Sequence, residues 1–213
     1  MDERVDLACG TGQSLAAKQH QFPRAARLSA RPVRAAHYSQ RMPPPTLVIL
    51  GGLPAVGKST VASALNEAGR FAYVRIDSIE QALRFSGEMG PHGVLTAGYV
   101  VAYAVSGDLL DGGNDVLVEC VNPIEITRTA WREVASTHGA ALVQVELYCS
   151  DPDAHRERAE SRVVNVPGLE LPDWRAIQTR EYEAWDSADL HIDTSTASPL
   201  EAASLIRAAV SLA

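Results

Sequence analysis

A short stretch that begins at Gly52 carries the residue types that a phosphate-binding loop requires. Residues 52–59 read GLPAVGKS and match the pattern G-x-x-x-x-G-K-[ST] at every fixed position. In such a loop, backbone N–H groups point at phosphate oxygens, the lysine reaches the β- and γ-phosphates, and the hydroxyl binds Mg²⁺. The pattern predicts a site for ATP and Mg²⁺ formed by Gly52, Pro54, Ala55, Val56, Gly57, Lys58, Ser59 and Thr60.

The composition supports a functional role for Lys58. The chain has nineteen basic residues but only two lysines, and Lys58 is the sole lysine in residues 44–213. A compact ammonium suits a phosphate cradle, whereas a guanidinium fork does not. The alternative, a plain glycine turn between a strand and a helix, gives no reason for this choice.

Asp77 is the candidate general base. It lies where a strand predicted over residues 71–76 gives way to a helix predicted over residues 78–85. A carboxylate at that edge of a parallel sheet can accept the proton of an attacking hydroxyl. The same residues fit a capping box, with Asp77 as N-cap and Glu80 at N3, so both interpretations stay open. Arg75 points to the same face, where it either binds substrate or pairs with an acid.

The segment DVLVE, residues 115–119, has the form of an apolar strand that ends in a metal-binding acid. We predict that Glu119 acts with Ser59 at Mg²⁺ or contacts the substrate, and the alternative is a strand-end acid that faces solvent. Asn122 then either caps the next helix or lies near the substrate. Arg128, further along that helix, either reaches an anion or belongs to a solvated face.

Two arginines lie on one face of a later helix. Arg158 and Arg162 follow His155 at spacings of three and seven residues. We predict that Arg158 and Arg162 contact phosphate and stabilise transition-state charge, as lid arginines do. The alternative is an ordinary charged helix whose arginines pair with neighbouring glutamates.

Strands and helices alternate through most of the chain, which indicates an α/β fold with a parallel sheet. We predict five parallel strands with helices on both faces, forming three layers. Strands are predicted over residues 46–51, 71–76, 115–120, 141–148 and 190–193, and helices over residues 58–67, 78–85, 95–110, 124–137, 151–163, 173–185 and 199–212. A glycine-rich loop is predicted over residues 86–94.

Charge divides the chain into two parts. Residues 1–43 carry seven basic and three acidic residues, whereas residues 44–213 carry twelve basic and twenty-three acidic residues, a balance of −11. We interpret residues 1–45 as a disordered basic extension rich in Ala, Arg and Pro, and residues 46–213 as the folded domain. The alternatives for the extension are an organelle transit peptide, which it resembles in composition, and sequence translated ahead of a start at Met42. An acidic domain repels polyanions, which argues against nucleic acid as a partner.

No apolar run is long enough to cross a membrane, and three scattered cysteines indicate a reducing cytosol.

From about Thr46 to Ala213 the chain resembles small bacterial P-loop kinases of the zeta-toxin and chloramphenicol phosphotransferase group. The resemblance rests on GGLPAVGKST, RIDSIEQALR, DVLVECVNPIEITRTAWREVA, CSDPDAHRERAESR and EYEAWDSADLHIDTS. It implies a nucleotide-kinase-like fold with an arginine-bearing lid, and transfer of the γ-phosphate of ATP to a hydroxyl of a small molecule. It also implies that Asp77 is the base, that Asn122 lies near the substrate, and that Thr194 and Ser195 contact adenine. Relatives more often carry aspartate at the position of Glu119.

The expected function is therefore an ATP- and Mg²⁺-dependent kinase with a small hydroxyl-bearing substrate. We expect this substrate to bind between residues 86–100, the Asp77 end of its strand and the lid, with Tyr99 stacking on it. One alternative is a polynucleotide 5′-hydroxyl kinase, which the acidic balance and the lack of a basic stripe oppose. Another is an ATP-binding regulator without phosphotransfer, which would need no base at Asp77.

Overall fold

The computed structural model describes residues 43–87, 96–163 and 166–213. Residues 1–42 of the predicted extension and most of the predicted glycine-rich loop lie outside the described residues. Five strands and seven helices occur in the described ranges, in the order β1 (Thr46–Gly51), α1 (Lys58–Leu65), β2 (Ala72–Arg75), α2 (Ile76–Phe85), α3 (Ala97–Asp111), β3 (Val116–Glu119), α4 (Glu125–Thr137), β4 (Ala141–Tyr148), α5 (Pro152–Ser161), α6 (Trp174–Gln178), β5 (Leu190–Asp193) and α7 (Pro199–Leu212).

The five strands form one parallel sheet in the order β2-β3-β1-β4-β5, which confirms the predicted five-stranded parallel sheet. The central strand β1 is buried on both faces, as its unbroken apolar sequence indicates. Val48 and Leu50 join a core with α1 and α7, while Leu47 and Ile49 join a second core with α3 and α4. Successive side chains of a strand point to opposite faces, so β1 holds the two helical layers together.

All strands of a parallel sheet end at the same edge, which is where ligands bind in folds of this kind. The segment after β1 leads into the loop that begins at Gly52, and Asp77 follows β2. Glu119 is the last residue of β3, and Thr194 follows β5. The sheet therefore collects the predicted site residues at one edge. Among the described residues, no helix combines the length and apolar character needed to cross a bilayer.

The helix predicted over residues 173–185 is wrong beyond its first turns, because α6 ends at Gln178. The chain after it turns away from the helix to make other contacts. The N–H of Glu183 donates to the Pro123 carbonyl at 2.8 Å, and the Ala184 carbonyl accepts from Arg128 at 2.7 Å. Trp185 is buried in the core beside β1. These backbone partners replace the helical hydrogen bonds.

Candidate active site

The loop between β1 and α1 has the backbone shape of a phosphate cradle. Gly52 and Gly57 have positive φ angles of 136° and 97°. A Cβ atom at Gly52 would overlap the carbonyl oxygen of Leu147, so only glycine fits there. Gly57 precedes α1 without any side chain capping the helix. The first N–H groups of α1 are therefore not used by a side-chain cap, and an anion can accept from them.

Lys58 is the first residue of α1, and its ammonium is directed back into the loop. Its Nζ donates to the carbonyls of Gly52 and Leu53, each at 2.8 Å. Burial lowers the pKa of Lys58, while the charges of Glu119 and Asp77 oppose that change. The lysine is held by neutral carbonyls, which a phosphate oxygen can replace with a stronger, charge-assisted partner.

His155 joins the loop to helix α5, a contact that sequence spacing did not reveal. Its Nε2 lies 2.8 Å from the carbonyl oxygen of Pro54, and its ring packs edge-on against Trp174 at a centroid distance of 5.1 Å. The side chain is buried. His155 therefore fixes the loop between β1 and α1 against α5 from outside the P-loop motif.

Glu119 occupies the space beside Ser59 at the end of β3. Its Oε1 accepts from the Ser59 hydroxyl at 2.6 Å, and its Oε2 accepts from the Tyr73 hydroxyl. Arg75 lies close by, with Nε 3.8 Å from Oε1. Because Glu119 is only 4% exposed, the interpretation as a strand-end acid in solvent is wrong.

The pair formed by Ser59 and Glu119 fits Mg²⁺ chemically. A hydroxyl and a carboxylate are hard oxygen donors, and Mg²⁺ in kinases takes few protein ligands and completes its shell with phosphate and water. Within the part of the chain that the structure describes, no group of three or more His, Cys, Asp or Glu residues forms a metal cage. A magnesium ion would therefore be held by these two residues together with nucleotide oxygens.

Asp77 is the second residue of α2 rather than its cap. The N-cap is Arg75, and no side chain caps the helix, so the capping-box interpretation of Asp77 is wrong. The carboxylate is 47% exposed, and its nearest ion-pair partner is Arg75 at 3.9 Å. The Asp77 charge acts to raise the pKa of both Lys58 and Arg162. Asp77 is therefore an open carboxylate within electrostatic reach of the phosphate loop and the lid.

The two lid arginines differ in what they contact. Helix α5 is capped by Asp151, whose side chain accepts from the N–H groups of the first turn. Arg158 donates to the Thr194 hydroxyl at 3.0 Å and to the Thr194 carbonyl at 2.9 Å. Arg162 donates to the Pro172 carbonyl at 3.4 Å, and burial lowers its pKa. Arg158 thus contacts the loop after β5, whereas Arg162 lies in the electrostatic field of Asp77.

The loop after β5 is organised by the Asp193 carboxylate. Its Oδ1 accepts from the N–H of Ser150 at 3.1 Å and from the N–H of Ser195 at 2.9 Å. Hydrogen bonds from both serines hold the pKa of Asp193 well below its usual range. The Thr194 hydroxyl donates to the Tyr148 carbonyl, and its methyl group lies near Gly57 at the end of the phosphate loop. The predicted adenine-contact residues Thr194 and Ser195 therefore adjoin the nucleotide site.

Tyr99 does not have the role that we expected from its position. Its hydroxyl accepts from the backbone N–H of Asn122 at 2.8 Å, and its ring is buried beside Tyr103. A substrate has no free ring face to stack on, so the predicted stacking contact is wrong. Tyr99 instead supports the chain as it leaves β3.

Asn122 adopts a strained backbone conformation at the same place. Its φ angle is 53°, its side chain is 0% exposed, and the cap of α4 is Ile124. The helix-cap interpretation of Asn122 is therefore wrong. Neither amide atom finds a hydrogen-bond partner among the described residues. The predicted substrate contact of Asn122 stays a prediction.

Arg128 acts within the fold and not as an anion-binding group. Its guanidinium donates to four backbone carbonyls, and it lies over the rings of Tyr182 and Trp185 at 5.5 and 4.9 Å. The residue is 1% exposed. Both alternatives drawn from the sequence are wrong: burial excludes a solvated face, and the bonds to backbone carbonyls leave the guanidinium neither exposed nor open to a substrate anion.

Arg180 is a candidate site residue that sequence analysis missed. It is exposed, and it follows α6 in the segment that α6 was predicted to include. Its charge acts to lower the pKa values of Lys58 and Glu80, so it lies within electrostatic reach of both. The sequence signal was an arginine just after a helix. Sequence alone does not distinguish such an arginine from an ordinary surface residue.

Solved structures with the same architecture include several that are named as kinases. They include the Mycobacterium tuberculosis APS kinase in complex with AMPPNP and APS (22% identity, 80% of this chain and 99% of that chain, TM-score 0.60). A gluconokinase from Sinorhizobium meliloti matches at 21% identity over 80% of this chain and 97% of that chain, with a TM-score of 0.54. A sugar kinase from Janibacter matches at 12% identity over 80% and 96% of the two chains, with a TM-score of 0.58.

A comparison with curated protein sequences found no match. The family comparison did, over residues 45–211, with the family described as "Chloramphenicol phosphotransferase-like protein". This range spans the sheet, the phosphate loop and the lid helix. With the nucleotide-kinase-like architecture, it shows that the chain belongs to the chloramphenicol phosphotransferase-like family of small-molecule P-loop kinases.

Proposed function

We propose that this protein transfers the γ-phosphate of ATP to a hydroxyl group of a small molecule, with Asp77 as the general base. The observation that carries this proposal is the position of Asp77. Its carboxylate does not cap a helix and is half-exposed just after β2. It lies within electrostatic reach of Lys58 and Arg162. An ATP-binding regulator needs no such carboxylate, so this feature favours catalysis over nucleotide binding alone.

The residues divide the reaction between them. Asp77 takes the proton of the acceptor hydroxyl as its oxygen attacks the γ-phosphorus, and the bond from that phosphorus to the β-phosphate oxygen breaks. Lys58 exchanges its carbonyl partners for the β- and γ-phosphate oxygens. Arg162 neutralises charge on the transferred group. Arg158 orders the loop after β5, which faces the adenine of ATP. Ser59 and Glu119 would hold Mg²⁺, which would supply further positive charge to the reacting phosphates.

The proposed acceptor is a small molecule, not a polynucleotide. The structural neighbours are named for APS, gluconate and sugar phosphorylation, and these names support small acceptors. The domain balance of −11 opposes the approach of a polyanion. Since Cys120 and Cys149 are free thiols, we place the reaction in a reducing cytosol.

The test is a screen of small metabolites and antibiotics for stimulated ATP consumption by the full chain. The matched blank is Lys58→Ala, which removes the ammonium at the centre of the loop. At least one hydroxyl-bearing compound should raise ADP formation above the blank, with equimolar phosphorylated product. If the wild-type protein and the Lys58→Ala variant consume ATP equally with every compound, the proposed function is wrong.

A further inference from the structure

Tyr73 is an aromatic side chain with an unexpected polar contact. It lies on β2, the edge strand of the sheet, and it is 44% exposed. Its hydroxyl does not end in solvent, because it donates to Oε2 of Glu119 on the neighbouring strand. None of the sequence motifs singles out this residue.

Strand register explains how the two side chains meet. The strands β2 and β3 pair in parallel, with Tyr73 opposite Leu117 and Arg75 opposite Glu119. Residues two apart on a strand share a face, so Tyr73 and Glu119 project from the same side of the sheet. The diagonal distance is one that a long aromatic side chain can bridge.

The contact divides the two oxygens of the carboxylate between different partners. Oε1 accepts from the Ser59 hydroxyl at 2.6 Å, and Oε2 accepts from Tyr73. A phenol hydroxyl is a proton donor at neutral pH, and a carboxylate can only accept, so Tyr73 donates to Glu119. Oε1 is thereby directed toward Ser59, the other residue of the proposed magnesium site.

Glutamate at this position needs such support more than aspartate would. Its side chain has one more rotatable bond, and the freedom of that bond must be lost before the carboxylate can act at a fixed point. Groups that hydrogen-bond to metal ligands orient them and tune metal affinity. Tyr73 is the hydroxyl that supplies this orientation to Glu119.

We propose that Tyr73 is a positioning residue that holds Glu119 in the orientation needed for Mg²⁺ beside Ser59. The inference rests on the proposed function, because it assigns Tyr73 a role at the metal site of the same nucleotide complex. A purely structural role for Tyr73 predicts a different result: its loss would lower stability and leave metal affinity unchanged.

The test measures Mn²⁺ binding by electron paramagnetic resonance, with Mn²⁺ as the probe and the full chain saturated with AMPPNP. Tyr73→Phe keeps the ring and removes the hydroxyl. The matched control is Tyr103→Phe, which removes a hydroxyl that donates to the Thr127 carbonyl at 3.4 Å, between α3 and α4. We expect Tyr73→Phe to weaken Mn²⁺ binding about tenfold, the lower end for groups behind a metal ligand. Nucleotide affinity in EDTA should match the wild type, and Tyr103→Phe should leave both affinities unchanged.

Glu119→Asp provides the second arm. The shorter side chain should lose contact with Tyr73, so adding Tyr73→Phe to Glu119→Asp should change Mn²⁺ affinity less than about twofold. The inference is overturned if Tyr73→Phe binds Mn²⁺ as the wild type does, or if its effect is undiminished in the Glu119→Asp background. It is also overturned if nucleotide affinity in EDTA falls as much as metal affinity. Failure of the wild-type protein to bind AMPPNP at all would instead overturn the proposed function, and this inference with it.

Discussion

The two halves of the sheet edge are built differently. On the ATP side, backbone shape and short-range hydrogen bonds fix the loop from Gly52 to Thr60, and His155 and Arg158 hold it and its neighbouring loop in place. On the proposed acceptor side, Asp77 is half-exposed and Arg180 is exposed, and they lie on separate segments of the chain. The phosphate loop thus takes its shape locally and is supported by α5 from far along the chain, whereas the proposed acceptor side has no comparable loop and depends on separate segments.

Under the proposed function, the ATP side is the general half of the site and the acceptor side is the specific half. Every kinase of this kind binds the same triphosphate, so one loop and one helix N-terminus suffice. Acceptors differ, and Arg180 lies on the segment after α6, where Arg128 donates to the carbonyls of Glu183 and Ala184. Changing one side chain on the acceptor side should therefore alter substrate use without altering ATP binding.

The largest effect is expected for Asp77, where a substitution should affect catalysis and not ATP binding. Asp77→Asn should lower the turnover rate about 1,000-fold, within the range for loss of a positioned general base, and leave ATP affinity unchanged. The measurement is ADP formation with an acceptor found in the screen, beside ATP binding by calorimetry. Asp108→Asn, an exposed acid of α3, is the control and should behave as wild type. Full activity in Asp77→Asn would show that Asp77 is not the base.

Removing the anchor of the acceptor side should mainly affect stability. Arg128→Ala leaves four backbone carbonyls without their donor, and we expect the free energy of unfolding to fall by about 3 kcal/mol. Urea denaturation followed by circular dichroism measures this loss. Arg175→Ala, in the exposed turn of α6, is the control. A change below about 0.5 kcal/mol, the size typical of surface substitutions, would contradict the anchoring role.

On the ATP side, His155→Ala should weaken ATP binding about fivefold, the equivalent of one ordinary hydrogen bond. The reason is that the Pro54 carbonyl loses its partner and the loop becomes less ordered. His155→Gln retains a donor and should recover part of the affinity, which calorimetry measures. Equal losses in the two variants would indicate that packing against Trp174 matters and the hydrogen bond does not.

The smallest effect is expected at Arg180. Arg180→Gln should raise the KM for the acceptor about threefold, since an exposed charge is well screened, and should leave the KM for ATP unchanged. Steady-state kinetics with both substrates varied gives the two values. If the KM for ATP changes more than the KM for the acceptor, Arg180 contributes to ATP binding and not to acceptor binding.

Sequence patterns predicted the local features well, for reasons that the fold makes clear. The P-loop match depends on backbone shape over eight residues, and strand β1 needs only an apolar run to be buried on both faces. The alternation of strands and helices predicted the parallel sheet, which the structure confirms. These properties are encoded by neighbouring residues, so they can be predicted before any contact is known.

Contacts between distant segments could not be predicted in this way. The helix predicted through residue 185 ends at Gln178, and the chain beyond it bonds to a segment more than fifty residues earlier, where Arg128 donates to the carbonyls of Glu183 and Ala184. Tyr99 has an aromatic ring that could stack on a substrate, yet the ring is buried and its hydroxyl accepts from the backbone N–H of Asn122. The partner of Glu119 was missed for the same reason, since Tyr73 is adjacent only through strand pairing.

The most direct test of the account follows the label from [γ-³²P]ATP. With the wild-type protein and an acceptor from the screen, the account predicts that the label appears on the acceptor as a phosphate ester, in step with ADP formation. The Lys58→Ala variant should transfer none. Label released only as inorganic phosphate, or no release with any hydroxyl-bearing compound, would contradict the claim that this protein is a small-molecule kinase.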